Sequence, residues 1–380
     1  MIVYLASIMN ISRRSFIHTG LGVSGASFLP HSFSEIQNSD LQQALPVKFA
    51  DFSENITGVG RILENPNYFV WCCSPIYGPD GKVHVFHSRW KKEVGFGGWL
   101  TSCEIAHAVS DSPEGPYETV DVALAPRGGN WWDGGSCHNP TIHKVGEKYV
   151  LFYMGASDGT VYSKRIGIAI SDSLDGPWER KDQPIILPDS DPAAWDSACT
   201  TNPAFVHHPN GDLWLYYKSW SINDWDYDLI HGDGIKTTRQ YGLATAKSLA
   251  GPWKKIGNSP VMDLTNIGHN AESEDAYVWI ENGTFKMIMR DMGYWNHDYG
   301  LYFESSDGLN WSDPKVAFQN AGKYFNEDSK GILESQVFNR EGRFERPQLL
   351  INKGRPEYIF SAFQGGLYNL SSGVILKIND

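Results

Sequence analysis

Cysteine is scarce in this 380-residue chain, and the five present show no Cys-x-x-Cys spacing and no paired-histidine pattern. Neither a zinc motif nor a disulfide framework is indicated, and Cys72, Cys73, Cys103, Cys137 and Cys199 fit buried free thiols. Basic charge is also short: 32 Lys and Arg against 44 Asp and Glu leave a net charge of -12. With no Lys/Arg stripe to neutralise phosphates, nucleic acid and anionic membrane surfaces are excluded as partners. No apolar run is long enough to span a bilayer, so no integral membrane span is expected. Extended stretches of 3.6-residue apolar period are missing too, which leaves strands as the main element. What is abundant is aromatic side chain, with 14 Trp, 18 Tyr and 18 Phe. Flat apolar rings fill β-cores, and they also stack on sugars.

The first 32 residues stand apart. Ser12-Arg13-Arg14-Ser15-Phe16-Ile17, followed by a mildly apolar, Gly-rich run through Leu29, resembles a twin-arginine export signal. Residues 33–48 read as a polar linker and 49–380 as one catalytic domain. A protein with such a signal folds in the cytoplasm and works in the periplasm or outside the cell.

The remainder repeats. Trp132-Asp133, five residues and Asn139-Pro140 are echoed by Trp195-Asp196, five residues and Asn202-Pro203. Pro75, Pro140, Pro203, Ala276 and Pro347 head five strand-like runs, spaced by 65, 63, 73 and 71 residues. Each run meets a Gly turn (Gly81, Gly146, Gly211, Gly283, Gly354) and then a second alternating run, which is a hairpin signal. Four copies continue into a Ser/Asp-rich turn ending in an aromatic: Tyr117, Trp178, Trp253 and Trp311. Five copies of three or four antiparallel strands predict an all-β, five-bladed β-propeller, with Phe49 to Leu63 supplying a strand that closes the ring.

In such a ring the start of each blade's first strand faces the axial cavity. The residues before the five markers are therefore the candidate site: Cys73 and Ser74, His138 and Asn139, Thr201 and Asn202, Glu274 and Asp275, Glu345 and Arg346. The blade pattern, with Gly146-Glu-Lys-Tyr149-Val-Leu-Phe-Tyr-Met-Gly155 and Ser171-Asp172-Ser-Leu-Asp-Gly176-Pro177-Trp178, resembles the five-bladed propeller glycoside hydrolases, such as families 43, 32, 117 and 130. The resemblance covers roughly Pro66 to the C-terminus. It implies two or three carboxylates around the axis, serving as acid, as base or nucleophile, and as tuning group. The chain departs from family 43 where that family has an Asp before the Pro of a first blade: Ser74 stands there, and Asn139 and Asn202 occupy blades two and three.

Glycoside hydrolysis needs one protonated and one ionised carboxyl. Position singles out Glu274 or Glu345 as the acid, with Asp133, Asp196 or Asp275 as base or stabiliser. The Trp-Asp pairs also have a structural reading, the Asp holding a turn and the Trp packing between blades. His138, Asn139, Asn202, Arg346 and Trp132 are candidate sugar contacts, and Arg346 suits the carboxylate or sulfate of an acidic sugar. Two insertions that mix aromatics with Asp and His, around Trp225 and Trp295, are expected to wall the pocket. No cofactor is required, although a structural calcium or another axial ion is compatible with the Asp-rich loops. Three functions fit: an exported, exo-acting glycosidase on an oligosaccharide, a phosphorylase of the family 130 kind needing Arg, Lys and His around phosphate, and a non-catalytic sugar-binding propeller.

Overall fold

The computed structural model describes residues 46–223, 239–265, 271–325 and 342–379. Blade one is β2 (Tyr68–Tyr77), β3 (Val83–Lys91), β4 (Glu104–Ser110) and β5 (Glu118–Leu124). Blade two is β6 (Ser136–Val145), β7 (Lys148–Ala156), β8 (Arg165–Ser171) and β9 (Glu179–Arg180). Blade three runs β10 (Thr201–His207), β11 (Leu213–Ser219), β12 (Gln240–Ala246) and β13 (Lys254–Lys255). Blade four runs β14 (Glu272–Glu281), β15 (Thr284–Met292), β16 (Gly300–Ser305) and β17 (Lys315–Phe318). The last blade combines both ends of the domain. β18 (Glu345–Asn352), β19 (Arg355–Gly365) and β20 (Leu370–Ile378) are completed by β1 (Ile56–Ile62). That pairing, from Ile56 with Ile378 to Ile62 with Gly373, closes the ring with the segment expected to do so. The five sheets form a five-bladed β-propeller.

Apolar cores lie between blades, each built from two neighbours. The aromatic ending each Ser/Asp-rich turn is the wedge. Tyr117 packs edge-on against Phe360, Trp178 against Phe86, Trp253 against Phe152 and Trp311 against Tyr216, with centroids 5.3 to 6.1 Å apart. Edge-to-face pairs at this spacing are favourable beyond their burial. The repeated turn is thus the joint between blades. All five cysteines are buried free thiols, and no described helix is long and apolar enough to cross a membrane.

Candidate active site

Each innermost strand breaks register once, between Trp71 and Ser74, His138 and Thr141, Thr201 and Ala204, Glu274 and Tyr277, and Glu345 and Gln348. At each break one residue has positive φ: Cys72 (47°), Asn139 (49°), Asn202 (48°), Asp275 (61°) and Arg346 (54°). Such a bulge re-aims side chains. Asn and Asp tolerate the left-handed region, whereas Cys72 and Arg346 hold it at about 1–2 kcal/mol each.

The bulges also correct the reading of blade one. Its equivalents of His138 and Asn139 are Trp71 and Cys72, two residues ahead of the expected Cys73 and Ser74, because Pro75 heads its run two residues late. Ser74 is spent between blades, donating to Gln348 Oε1 at 3.2 Å and accepting from the Ile142 amide at 3.0 Å.

The five bulge residues are linked in a circle. Asn139 Nδ2 donates to Asn202 Oδ1 (2.9 Å), and Asn202 Nδ2 to Asp275 Oδ1 (2.8 Å). Asp275 Oδ2 accepts from the Arg346 amide (3.1 Å), Arg346 Nε donates to Cys72 Sγ (3.4 Å), and that thiol donates to the Pro140 carbonyl (3.4 Å). Asn139 and Asn202 therefore spend their amides on holding the belt and the carboxylates, rather than being free for sugar hydroxyls.

Above the belt lies a cavity of about 660 Å³, reached by Trp71, His138, Thr201, Glu274 and Glu345 from the five blades. Glu274 Oε1 accepts from Lys218 Nζ and from Asn202 Nδ2 at 3.0 Å, and Oε2 from Arg239 Nη1 at 2.5 Å. Burial raises its pKa, but Lys218 and Arg239 together outweigh burial, so the carboxyl is held well below the usual range. Asp275 goes the other way. Burial and the neighbouring Glu274 charge raise it against the pull of Arg346. Glu345 pairs with Arg290 at 2.9 Å. Glu272, raised by burial, braces Arg239 from behind at 3.3 Å. Burial, with Arg346 and Lys164, pushes His138 well below the ordinary histidine range, so it is a neutral ring at pH 7.

Cations outnumber carboxylates here. Lys164, Lys218, Arg239, Arg290 and Arg346 line the cavity against Glu274, Asp275 and Glu345. Among the described residues, Arg346 Nη2 and Arg290 Nε have no hydrogen-bond partner. Lys164 lies over the Trp220 ring at 4.8 Å, and among the described residues no carboxylate pairs with it. Burial lowers it to about 8.

Sequence reading missed these cations, although register would have found two. Lys218 and Arg290 are the cross-strand partners of Thr201 and Glu274. Lys164 and Arg239 precede the third strands of blades two and three. The aromatic wall was also misplaced. It comes from Trp71, Trp90, Phe96, Trp99 and Trp220, with Phe96 and Trp99 on the 3-10 helix Phe96–Leu100 of the β3–β4 connection. Trp295 instead packs edge-on against Tyr294, behind the blade-four loop tied down by Asp291. Trp225 lies outside the described residues.

Asp133 and Asp196, expected as candidates for base, do not line the cavity. Asp133 is fully buried and accepts from Arg127 Nε (2.6 Å), Tyr153 Oη (2.8 Å) and Arg180 Nη1 (3.3 Å). Asp196 repeats the arrangement with Tyr217 Oη (2.8 Å) and Lys255 Nζ (2.5 Å). Trp132 stacks on Tyr153 and Trp195 on Tyr217 at 5.5 and 5.8 Å. Gly167 and Gly242 leave room for the indoles, since a Cβ at either would come within 3 Å of a Trp ring. The Trp-Asp phrase is thus a clasp from the entry loop to the outer strand of its own blade. Asp133→Ala, which strands two guanidinium groups, is expected to lower stability by about 3 kcal/mol in denaturant unfolding. Turnover per folded molecule should be unchanged.

These features define a five-bladed propeller whose axial pocket is buried, charged and walled by aromatics. The fold is shared with solved glycoside hydrolases. One is Zg3597, a family 117 glycoside hydrolase of the marine bacterium Zobellia galactanivorans, with 17% identity, 87% of this chain and 88% of that chain covered and a TM-score of 0.59. Another is BT0996, solved in an RGII complex, with 14% identity, coverage of 88% and 93% and a TM-score of 0.61. The GH43_1 enzyme of Xanthomonas citri complexed with xylotriose follows, with 15% identity, coverage of 84% and 89% and a TM-score of 0.54. No protein-family model and no curated protein sequence matches the chain.

Proposed function

We propose that the protein is a glycoside hydrolase acting on an oligosaccharide that carries an anionic group, with Glu274 as the ionised carboxylate and Asp275 as the proton-holding one. The observation that carries the catalytic part is the divergence of two neighbouring carboxyls that share the Asn202 amide. Environments that push paired titratable groups apart set acid and base roles. The enclosed axial pocket suits an exo-acting enzyme, and its aromatic wall suits stacking on sugar C–H faces. Glu345, oriented by Arg290, is the third carboxylate around the substrate.

The anionic part rests on the cation excess. Buried guanidinium donors left without acceptors favour an incoming oxyanion, such as the carboxylate of a uronic acid or a sulfate ester. The same cluster favours a second reading, phosphorolysis, in which inorganic phosphate takes the anion position. Product analysis on neutral, uronic and sulfated oligosaccharides, with and without phosphate, separates the two. Free reducing sugar regardless of phosphate supports hydrolysis, whereas a phosphate-dependent sugar 1-phosphate replaces it with the second reading. Binding without turnover of any of them would leave a sugar-binding module.

Lys164 gives a sharper check. KM for an anionic substrate should rise as pH climbs through about 8, where Lys164 loses its charge. In Lys164→Met it should be raised about tenfold and lose that pH step, with KM for a neutral analogue little changed. The Arg13-Arg14 segment supports action outside the cytoplasm after folded export. It lies outside the described residues, and a periplasmic-to-cytoplasmic activity ratio in cells expressing the Arg13→Lys, Arg14→Lys pair tests it.

A further inference from the structure

A second cluster of ionisable groups lies away from the axis, on the seam between blades one and two. His84 on β3 and His107 on β4 are both buried, with Nδ1 of His84 2.8 Å from Nε2 of His107. Nε2 of His84 is 3.2 Å from Asp80 Oδ1. On its other side, His107 Nδ1 has no hydrogen-bond partner among the described residues and faces Asp121 Oδ1 at 3.5 Å and Asp175 Oδ1 at 4.0 Å. The ring is fixed by stacking on Phe86, with centroids 4.6 Å apart and planes within 3°. Asp121 is the cross-strand neighbour on β5, and Asp175 comes from the turn between β8 and β9 of the next blade.

The repeat shows how unusual this position is. The strand-two aromatics that receive a wedge are Phe86, Phe152, Tyr216 and Phe360, and their neighbours on strand three are His107, Ile168, Leu243 and Ile375. Three blades place an aliphatic residue there. A histidine in its place buries a ring nitrogen, which costs free energy unless that nitrogen gains a partner.

Proton placement indicates which partner. With Asp80 ionised, His84 Nε2–H donates to it, and His84 Nδ1 then accepts from His107 Nε2–H. His107 Nδ1 is left as a lone pair converging with two carboxylates. A carboxylate–histidine relay of this kind orients an imidazole toward a metal. Zinc holds nitrogen and carboxylate oxygen at about 2.0–2.2 Å in a tetrahedron, which spaces ligand atoms about 3.4 Å apart. The observed 3.5 and 4.0 Å need little adjustment. Calcium, which takes oxygen ligands, gains nothing from the imidazole.

We infer that His107 Nδ1, Asp121 and Asp175 form a divalent-cation site of the zinc class that ties blade one to blade two, with Asp80 and His84 orienting His107. An outer cavity of about 310 Å³, bordered by Asp80, His84 and Asp175, gives the ion access and leaves room for water to complete its coordination. The site is independent of the axial chemistry.

Calorimetric titration of the chelator-treated full chain with Zn²⁺, and separately with Ca²⁺, tests the assignment. One zinc per chain is expected, with a rise in melting temperature that calcium does not reproduce. Asp175→Asn, an exposed change that leaves the core alone, should weaken zinc at least tenfold. His84→Ala should weaken it about 10- to 100-fold through the lost orientation. His107→Leu, which supplies the residue blade three has at Leu243, should abolish binding while keeping the metal-free melting temperature. Absence of stoichiometric zinc binding, or binding that Asp175→Asn and His107→Leu leave unchanged, overturns the site.

Discussion

Asp275→Asn is expected to lower turnover of a cleaved glycoside by about 10²–10⁴-fold, the usual worth of a positioned proton donor. The substitution keeps the shape, and Asn adopts the φ of 61° found there. It does present an NH₂ to one of two donors, the Asn202 amide or the Arg346 N–H, so a stability loss of about 1–3 kcal/mol accompanies it. Turnover must therefore be measured per folded molecule. The pH profile separates chemistry from structure. A general acid works protonated, so wild-type kcat should fall on the alkaline side, through a pKa that burial and Glu274 raise. If Asp275→Asn keeps full turnover while Glu345→Gln abolishes it, the acid is Glu345.

Glu274→Gln should produce the largest loss of stability, about 3–5 kcal/mol by denaturant unfolding, because it leaves Lys218 and Arg239 buried without their shared anion. The sign with pH follows from the depressed folded pKa of Glu274. Its contribution is complete above the unfolded value of about 4.3 and is lost as pH falls from there through the lower folded value. Asp275, raised in the fold, has the opposite sign, costing stability at neutral pH and relieving it on acidification. Wild-type stability should therefore fall in acid, whereas the Glu274→Gln protein should lose that slope. An unaltered acid slope in the variant would remove Glu274 from this role.

Much of the site's framework was legible one residue at a time. The bulge residues Asn139, Asn202, Asp275 and Arg346, with Glu274 and Glu345 before them, were located because the Pro/Ala marker follows each bulge directly. Blade one lacked that marker, and its Trp71 and Cys72 were missed. The Trp-Asp phrase was prominent because it repeats, and it repeats because two blades need the same clasp. Repetition marks what every blade requires, which is packing. The groups that make the pocket differ from blade to blade: Lys218 where blade two has Met154, Arg290 where blade one has Ser88, and His107 where other blades have aliphatic residues.

By itself the sequence determined the five blades, the closing strand and the carboxylates near the axis, because strand period, turn chemistry and blade spacing are local signals. The tertiary structure alone decided that Asp133 and Asp196 are clasped outside the pocket, that Asn139 and Asn202 hold the belt, and that five cations surround three carboxylates. Charge balance and pKa depend on distances between blades more than sixty residues apart in the chain, and only the closed ring sets those distances.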